Sequence, residues 1–180
     1  VRCHYNIPHL IAKINPYIFE CQLEINTKKT YLTRMYNLNS IEDYVRYKDK
    51  IFDEYYDEDK DDLNFNAFTI KLQRYYLQHS DRAEQLQCLI DEIGESVIVF
   101  VRYLDGIPAD AHRITGAEKQ QERLKITRDF KNGKFKVLYI TYGCGAYGLN
   151  LQFCQNVIFA EQVWDYALQV QAEARVYRIG

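Results

Sequence analysis

Three apolar runs constrain this chain more than anything else in it: Val97–Val101 (VIVFV), Val137–Thr141 (VLYIT) and Asn156–Ala160 (NVIFA). A strand with one wet face alternates apolar and polar residues, whereas an uninterrupted run such as VIVFV suits a strand buried on both faces, the habit of parallel sheets covered by helices. Stretches of helical length separate and flank the runs. DRAEQLQCLIDEI places Leu86, Leu89, Ile90 and Ile93 on one face and stops at Gly94, AEKQQERLKITRDFKNG closes at Gly133, and YALQVQAEARVYR follows the third run. Strands alternating with helices predict right-handed βαβ units and a parallel sheet, so residues 81–180 read as α/β.

The first half has a different grammar. From Asn26 to about His79, Leu38, Ile41, Tyr44, Val45, Ile51, Phe52 and Tyr55 recur at steps of three and four, with no Pro or Gly to interrupt them. This predicts a helical region over 26–80, broken at DEDKDDLN, where clustered like charges favour solvent. The chain holds 16 tyrosines. Base stacking is one use for them, but at helical spacing they read as amphipathic packing residues.

Bulk properties exclude several classes. No run of about 18 apolar residues offers a membrane span, and the N-terminus VRCHYNIPHL has neither an initiator Met nor a signal peptide's apolar region. We expect a piece of a longer protein. Cys3, Cys21, Cys88, Cys144 and Cys154 form no CxxC pair, which suits a reduced, cytoplasmic chain; Cys3, His4, His9 and Cys21 match no zinc-ligand spacing, so no metal site is expected. The net charge of −2 hides an acidic stretch, IEDYVRYKDKIFDEYYDEDKDDLN, and a basic one, HRITGAEKQQERLKITRDFKNGKFK. The basic stretch is open to two readings, a solvated face or a polyanion contact.

Two features point to anions. If the chain's end is helical, Gln171, Arg175 and Arg178 share one face, and two guanidinium forks aligned there suit a phosphate-bearing ligand or an incidental surface pair. The segment after VLYIT, YGCGAYGLN, gathers three of the chain's eight glycines. In open α/β sheets ligands sit beyond the carboxyl ends of the strands, where glycines let the backbone come close to them.

Taken in order, VIVFV, RITGAEKQQER, VLYITYGCGAYGLNLQ, NVIFAEQVWDYA and QAEARVYRIG resemble the second RecA-like lobe of superfamily 2 helicases, in particular the SWI/SNF-related branch of double-stranded DNA translocases. VIVFV is similar to motif IV, GAYGLNLQ to motif V, QAEARVYRIG to motif VI, and EQVWDYA to the branch's Trp-containing segment. INPYIFECQLEI looks like the linker leaving the first lobe, and the Tyr-rich helical region like the protrusion on the second. The resemblance thus implies a linker at 1–25, a helical protrusion at 26–80, and a RecA-like, P-loop NTPase-type lobe at 81–180.

It also implies roles. Arg175 and Arg178 look like arginine fingers that reach the γ-phosphate of ATP held on the other lobe, with Gln171 placing the helix and Gly148 and Asn150 contacting the nucleotide or relaying its state. DNA-backbone contacts are implied for Arg113, Thr115 and Gly116 and for Thr141, Gly143 and Gly145, with Lys119, Arg123 and Lys125 as further basic candidates. The branch usually has an acidic residue where Ala174 stands and Asn where Asp165 stands. No GxxxxGK[ST] and no DExH-type box occurs, so ATP and Mg²⁺ are expected to be held mainly by a first lobe of the same parent chain, and this piece alone is expected to be inactive. Duplex DNA is the implied partner, and the acidic helical region is a candidate surface for a protein partner. Two other readings stand: a catalytically silent module that binds a protein, and a lobe of a restriction-type or RNA-directed superfamily 2 motor. Abundant Tyr, Asn, Lys and Ile suggest an AT-rich bacterial or phage source.

Overall fold

A computed structural model describes residues 7–17, 29–35, 38–57, 62–145, 149–161, 163 and 165–177. The chain divides into two compact units, Val1–Leu32 and Thr33–Gly180. In the first, helix α1 (Ile7–Ile14) runs into a 3-10 turn at Asn15–Tyr17. Residues 29–35 have no regular structure, and among the described residues of the region predicted to be helical from Asn26 the first helix starts at Ile41.

The second unit opens with two helices, α2 (Ile41–Tyr55) and α3 (Phe65–Leu77). Ser40 caps α2 by accepting from the Asp43 amide, and Asn64 caps α3 by accepting from the Ala67 amide, the hydrogen bonds that orphaned first-turn amides require. Tyr47 stacks on Tyr75 at 3.8 Å between ring centroids, and Phe52 meets Phe68 edge-on at 6.1 Å. Advancing along α2 moves backwards along α3, so the helices run antiparallel, with Ile51 buried. The predicted break lies between them, and its ends pair as a small antiparallel ribbon, β1 (Tyr56–Asp57) with β2 (Asp62–Leu63).

Helix α4 (Ser80–Ile93) ends at Gly94, whose φ of 66° is the left-handed conformation that stops a helix without a Cβ penalty. The chain then lays down β3 (Val97–Val101), a 3-10 turn (Leu104–Gly106), β4 (Arg113–Ile114), α5 (Gln120–Lys131), β5 (Val137–Thr141), a one-turn helix α6 (Tyr142–Gly145), β6 (Asn156–Phe159) and α7 (Tyr166–Val176). The four strands form one parallel sheet in the order β4-β5-β3-β6. Strand β3 is central, and all five of its residues are buried.

Period-two alternation divides the core between the two faces of the sheet. Val97, Val99 and Val101 join Leu86 and Ile90 of α4, whereas Ile98 and Phe100 join Phe130 of α5 and Ala172 of α7. Burial of each such large side chain contributes about 1.5–3 kcal/mol. The sheet is covered on both sides, as the apolar runs required. The edge strand β4 was not foreseen, being two residues long and half polar.

Candidate functional site

Because the strands are parallel, their carboxyl ends share one edge of the sheet. Register places Val101 beside Thr141, Ile114 beside Ile140, and Phe100 beside Phe159. The segments leaving that edge begin at Arg102 after β3, Thr115 after β4, Tyr142 after β5 and Ala160 after β6.

Thr115 and Gly116 thus lie on the same edge as Thr141 and Gly143, two strands brought together that are distant in sequence. Arg113 and Gly116 are exposed, and Thr141 is half-buried. Thr115 is itself buried; its hydroxyl bonds Glu118 Oε2 at 2.9 Å, and both its amide and the Ala117 amide are taken up inside the turn. A phosphate contact here would therefore fall to Arg113 and the Gly116 backbone, with Thr115 holding the turn. Burial pushes the Glu118 carboxyl up, but the bonds from Thr115 outweigh it and hold the group below its ordinary value. Arg123 Nε donates to the Glu118 carbonyl at 2.8 Å, tying one basic side chain to the start of its own helix.

A Cβ added at Gly116 or Gly143 would stand in open space. Packing does not demand glycine at either position, and both leave the backbone open to a ligand. The stretch after β5 starts as a helical turn, α6, in which Gly143 is exposed and Gly145 is the last residue. Tyr142 turns inward, its ring 5.7 Å from that of Phe100, and its hydroxyl donates to the Glu161 carbonyl at 3.0 Å. Burial pushes the Tyr142 phenol well above its ordinary value, so it stays a neutral donor.

Helix α7 starts at the sheet's carboxyl edge. Asp165 caps it, accepting from the Ala167 amide at 2.9 Å, so the residue standing in place of Asn performs a cap's work. Ala172 is buried, while Gln171 is exposed and Arg175 half-exposed one turn apart. The Leu151 amide donates to the Arg175 carbonyl at 3.2 Å, so Asn150, exposed and accepting from the Gln152 amide at 3.3 Å, lies close to the last turn of α7. Gly148 and Arg178 lie outside the described residues, as do Trp164 and the cysteines Cys3 and Cys21. Helix α7 ends at Val176.

Sequence reasoning missed Arg82 and Glu161. Arg82, only 2% exposed, pairs with Glu161 Oε1 from α4 and donates to the Gly106 carbonyl at 3.4 Å. Glu161 Oε2 accepts from the Arg102 amide at 2.6 Å. Burial raises the Glu161 carboxyl above its ordinary value, opposed by the Arg82 charge and the Arg102 bonds. The pair is separated by most of the domain in sequence, and no local pattern announces it. Among the described residues, no group of three His, Cys, Asp or Glu side chains could hold a metal ion, and no helix is long and apolar enough to cross a membrane.

A parallel sheet covered by helices on both faces is the architecture of a RecA-like lobe, and comparison with solved structures agrees. The C-terminal part of the Fun30 ATPase domain superposes with a TM-score of 0.50 at 21% identity, over 76% of this chain and 56% of that one, a likeness of fold. Residues 81–180 match the helicase conserved C-terminal domain, and the chain belongs to that family. It is the C-terminal lobe of a superfamily 2 helicase with SWI/SNF-type relatives. The DNA excision repair protein ERCC-6-like 2 of Mus musculus is 28% identical over 112 residues, 62% of this chain and 7% of that protein. The putative ATP-dependent helicase/translocase YwqA of Bacillus subtilis is 28% identical over 109 residues, 53% of this chain and 12% of that protein. The chain therefore spans a small fraction of the length of these relatives.

Proposed function

We propose that this chain is the second motor lobe of an ATP-dependent double-stranded DNA translocase, and that it supplies arginine fingers and DNA-backbone contacts to a composite site. One observation carries the reading: the segment holding Asn150 is fastened to the last turn of α7 at Arg175, so the motif V-like and motif VI-like stretches form one surface. Residues 1–25 serve as the linker from the first lobe, 26–80 as the helical protrusion, and 81–180 as the lobe itself.

ATP bound with Mg²⁺ on the first lobe supplies the phosphoryl chemistry. The donor set here fits one side of that nucleotide. Arg175, joined by Arg178, offers a planar fork that keeps its charge at any physiological pH and matches phosphoryl oxygens as negative charge builds on them. Gln171 holds the helix end towards the cleft, and Asn150 and Gly148 line the same side. Arg113, Thr141 and the backbone at Gly116, Gly143 and Gly145 grip DNA phosphates without reading bases, Thr115 bracing the turn. Closure of the cleft brings the fingers in, and reopening releases them, so that two lobes gripping in alternation advance along a duplex. Alone, this chain lacks half of that site and turns over no ATP.

The exposed acidic face of α2, carrying Glu42, Asp43, Asp49 and Asp53 beside exposed Ile41 and Val45, is where we place a protein partner. The test of the main reading is ATP turnover by the longer protein with and without duplex DNA, comparing the natural sequence with Arg178→Ala. DNA-stimulated turnover that collapses in the variant while ATP binding persists supports it. Turnover indifferent to Arg178, or to DNA, overturns it in favour of a silent binding module.

A further inference from the structure

Glu161 ties together segments that leave the sheet's carboxyl edge. Its Oε2 accepts from the amide of Arg102, where β3 ends; its carbonyl accepts from the hydroxyl of Tyr142, where β5 ends; and it stands just past the end of β6. Its Oε1 is held by Arg82, which is among the largest fully buried side chains of the chain and reaches in from the first turn of α4. Arg82 also bonds the Gly106 carbonyl, closing the 3-10 turn after β3 against the same carboxylate. That turn is gripped from its other side, where Asp105 takes two bonds from Arg74, at 2.8 and 3.2 Å, and one from Gln78 at 3.1 Å.

A buried ion pair is a poor way to gain stability. Desolvating the two charges costs several kcal/mol per ion, and apolar residues of similar volume often serve stability as well or better. Here the bonding is also incomplete, since Arg82 Nε is buried without a hydrogen-bond partner. What the pair supplies that an apolar contact would not is direction: fixed donor and acceptor geometry among three strand exits and one helix.

We propose that Arg82 and Glu161 form a positioning pair that locks the exits of β3, β5 and β6 in one mutual geometry, so that the Thr141–Gly143 turn and the start of α7 are presented together to DNA and nucleotide. The assignment rests on the motor-lobe reading for its functional half. Neither residue touches ligand; both act through the segments they hold.

Two measurements separate position from mere stability. In the longer protein, Arg82→Met, Glu161→Gln and the double variant are compared for thermal stability and for the duplex DNA concentration that half-saturates ATP turnover. Either single change strands a charge and lowers the melting temperature. The double variant is expected to recover most of that loss while its half-saturating DNA concentration stays about tenfold above the natural value. A double variant that saturates with DNA like the natural protein overturns the proposal. In this chain by itself, hydrogen exchange of Glu161→Gln is expected to show the amides at 102–106 and 142–144 loosening together, with Ile98 and Val99 still protected. Loosening at one exit only, or at none, also overturns it. Should the natural longer protein show no response to DNA, the motor-lobe reading fails, and the exchange experiment still decides whether Glu161 couples the exits of β3 and β5.

Discussion

The Leu151 amide donates to the Arg175 carbonyl across 3.2 Å, a main-chain bond that fastens the end of the glycine-rich stretch to the last turn of α7. That bond uses the Arg175 carbonyl and is kept when the side chain is changed. In the longer protein, Arg175→Ala is expected to lower DNA-stimulated turnover by about 10³-fold or more, the scale of a lost arginine finger. Its stability should change by about 1 kcal/mol or less. Arg175→Lys should recover little, because an ammonium does not reproduce the planar fork. Steady-state turnover and a denaturant titration check the two halves.

Two glycines should respond oppositely to one methyl group. At Gly106 a Cβ would come within 3.2 Å of Arg82 Nη1, which is buried, and 3.3 Å of Glu161 Oε1, which is half-buried, and both are bonded. Gly106→Ala is expected to cost about 1–3 kcal/mol, the usual penalty of overpacking. Gly143 is exposed in a helical turn with nothing within 4 Å of the added carbon. Gly143→Ala should leave stability unchanged or raise it by up to about 1 kcal/mol, yet weaken DNA binding by the longer protein. Unchanged DNA affinity would remove Gly143 from the proposed contacts.

The Thr115 turn carries a pH signature. Glu118 is held below its ordinary value of 4.5 in the folded chain. A depressed carboxyl contributes stability that is present above the unfolded value and is lost as pH falls through the folded one. Unfolding free energies from pH 7 to 3 should show the natural chain more stable than Glu118→Gln at neutrality, the gap closing as the solution turns acid. A gap that stays constant down to pH 3 would mean that the Glu118 charge plays no part.

Asp81 is 8% exposed and accepts from the Asn39 amide at 2.7 Å and from Asn39 Nδ2 at 3.0 Å, anchoring the approach to α2 onto α4. Asp81→Ala leaves those donors without an acceptor and should cost about 1–3 kcal/mol. Exchange at the Asn39 amide should rise well before that of Ile51.

Val97–Val101 and Val137–Thr141 were legible to within a residue because burial on both faces removes polar alternation. Helices with a one-sided stripe and a glycine stop, such as Ser80–Ile93, were almost as clear. Arg113–Ile114 was not, since two residues carry no period, and residues 29–35 share the composition of the helices without folding as one. The burial of Thr115 followed from a turn that closes on Glu118, which spacing alone does not signal. Asn150 and Arg175 were nameable from motif order, but their adjacency came only with the fold. Arg82 and Glu161 had no signature, for their meeting depends on which strand lies at the centre of the sheet.

That central strand also sets the order in which the chain can assemble. Strand β3 is synthesised before either neighbour, pairing with Val137–Thr141 on one side and Asn156–Phe159 on the other. Until both have emerged, VIVFV is an uncharged, β-branched segment with two open edges, the composition that invites association with other chains. Non-local parallel pairing of this kind forms slowly. A nascent chain halted between β5 and β6 would hold one flank of β3 satisfied and the other bare, and the yield of folded protein should depend on how quickly the residues from Arg102 to Phe159 follow that strand.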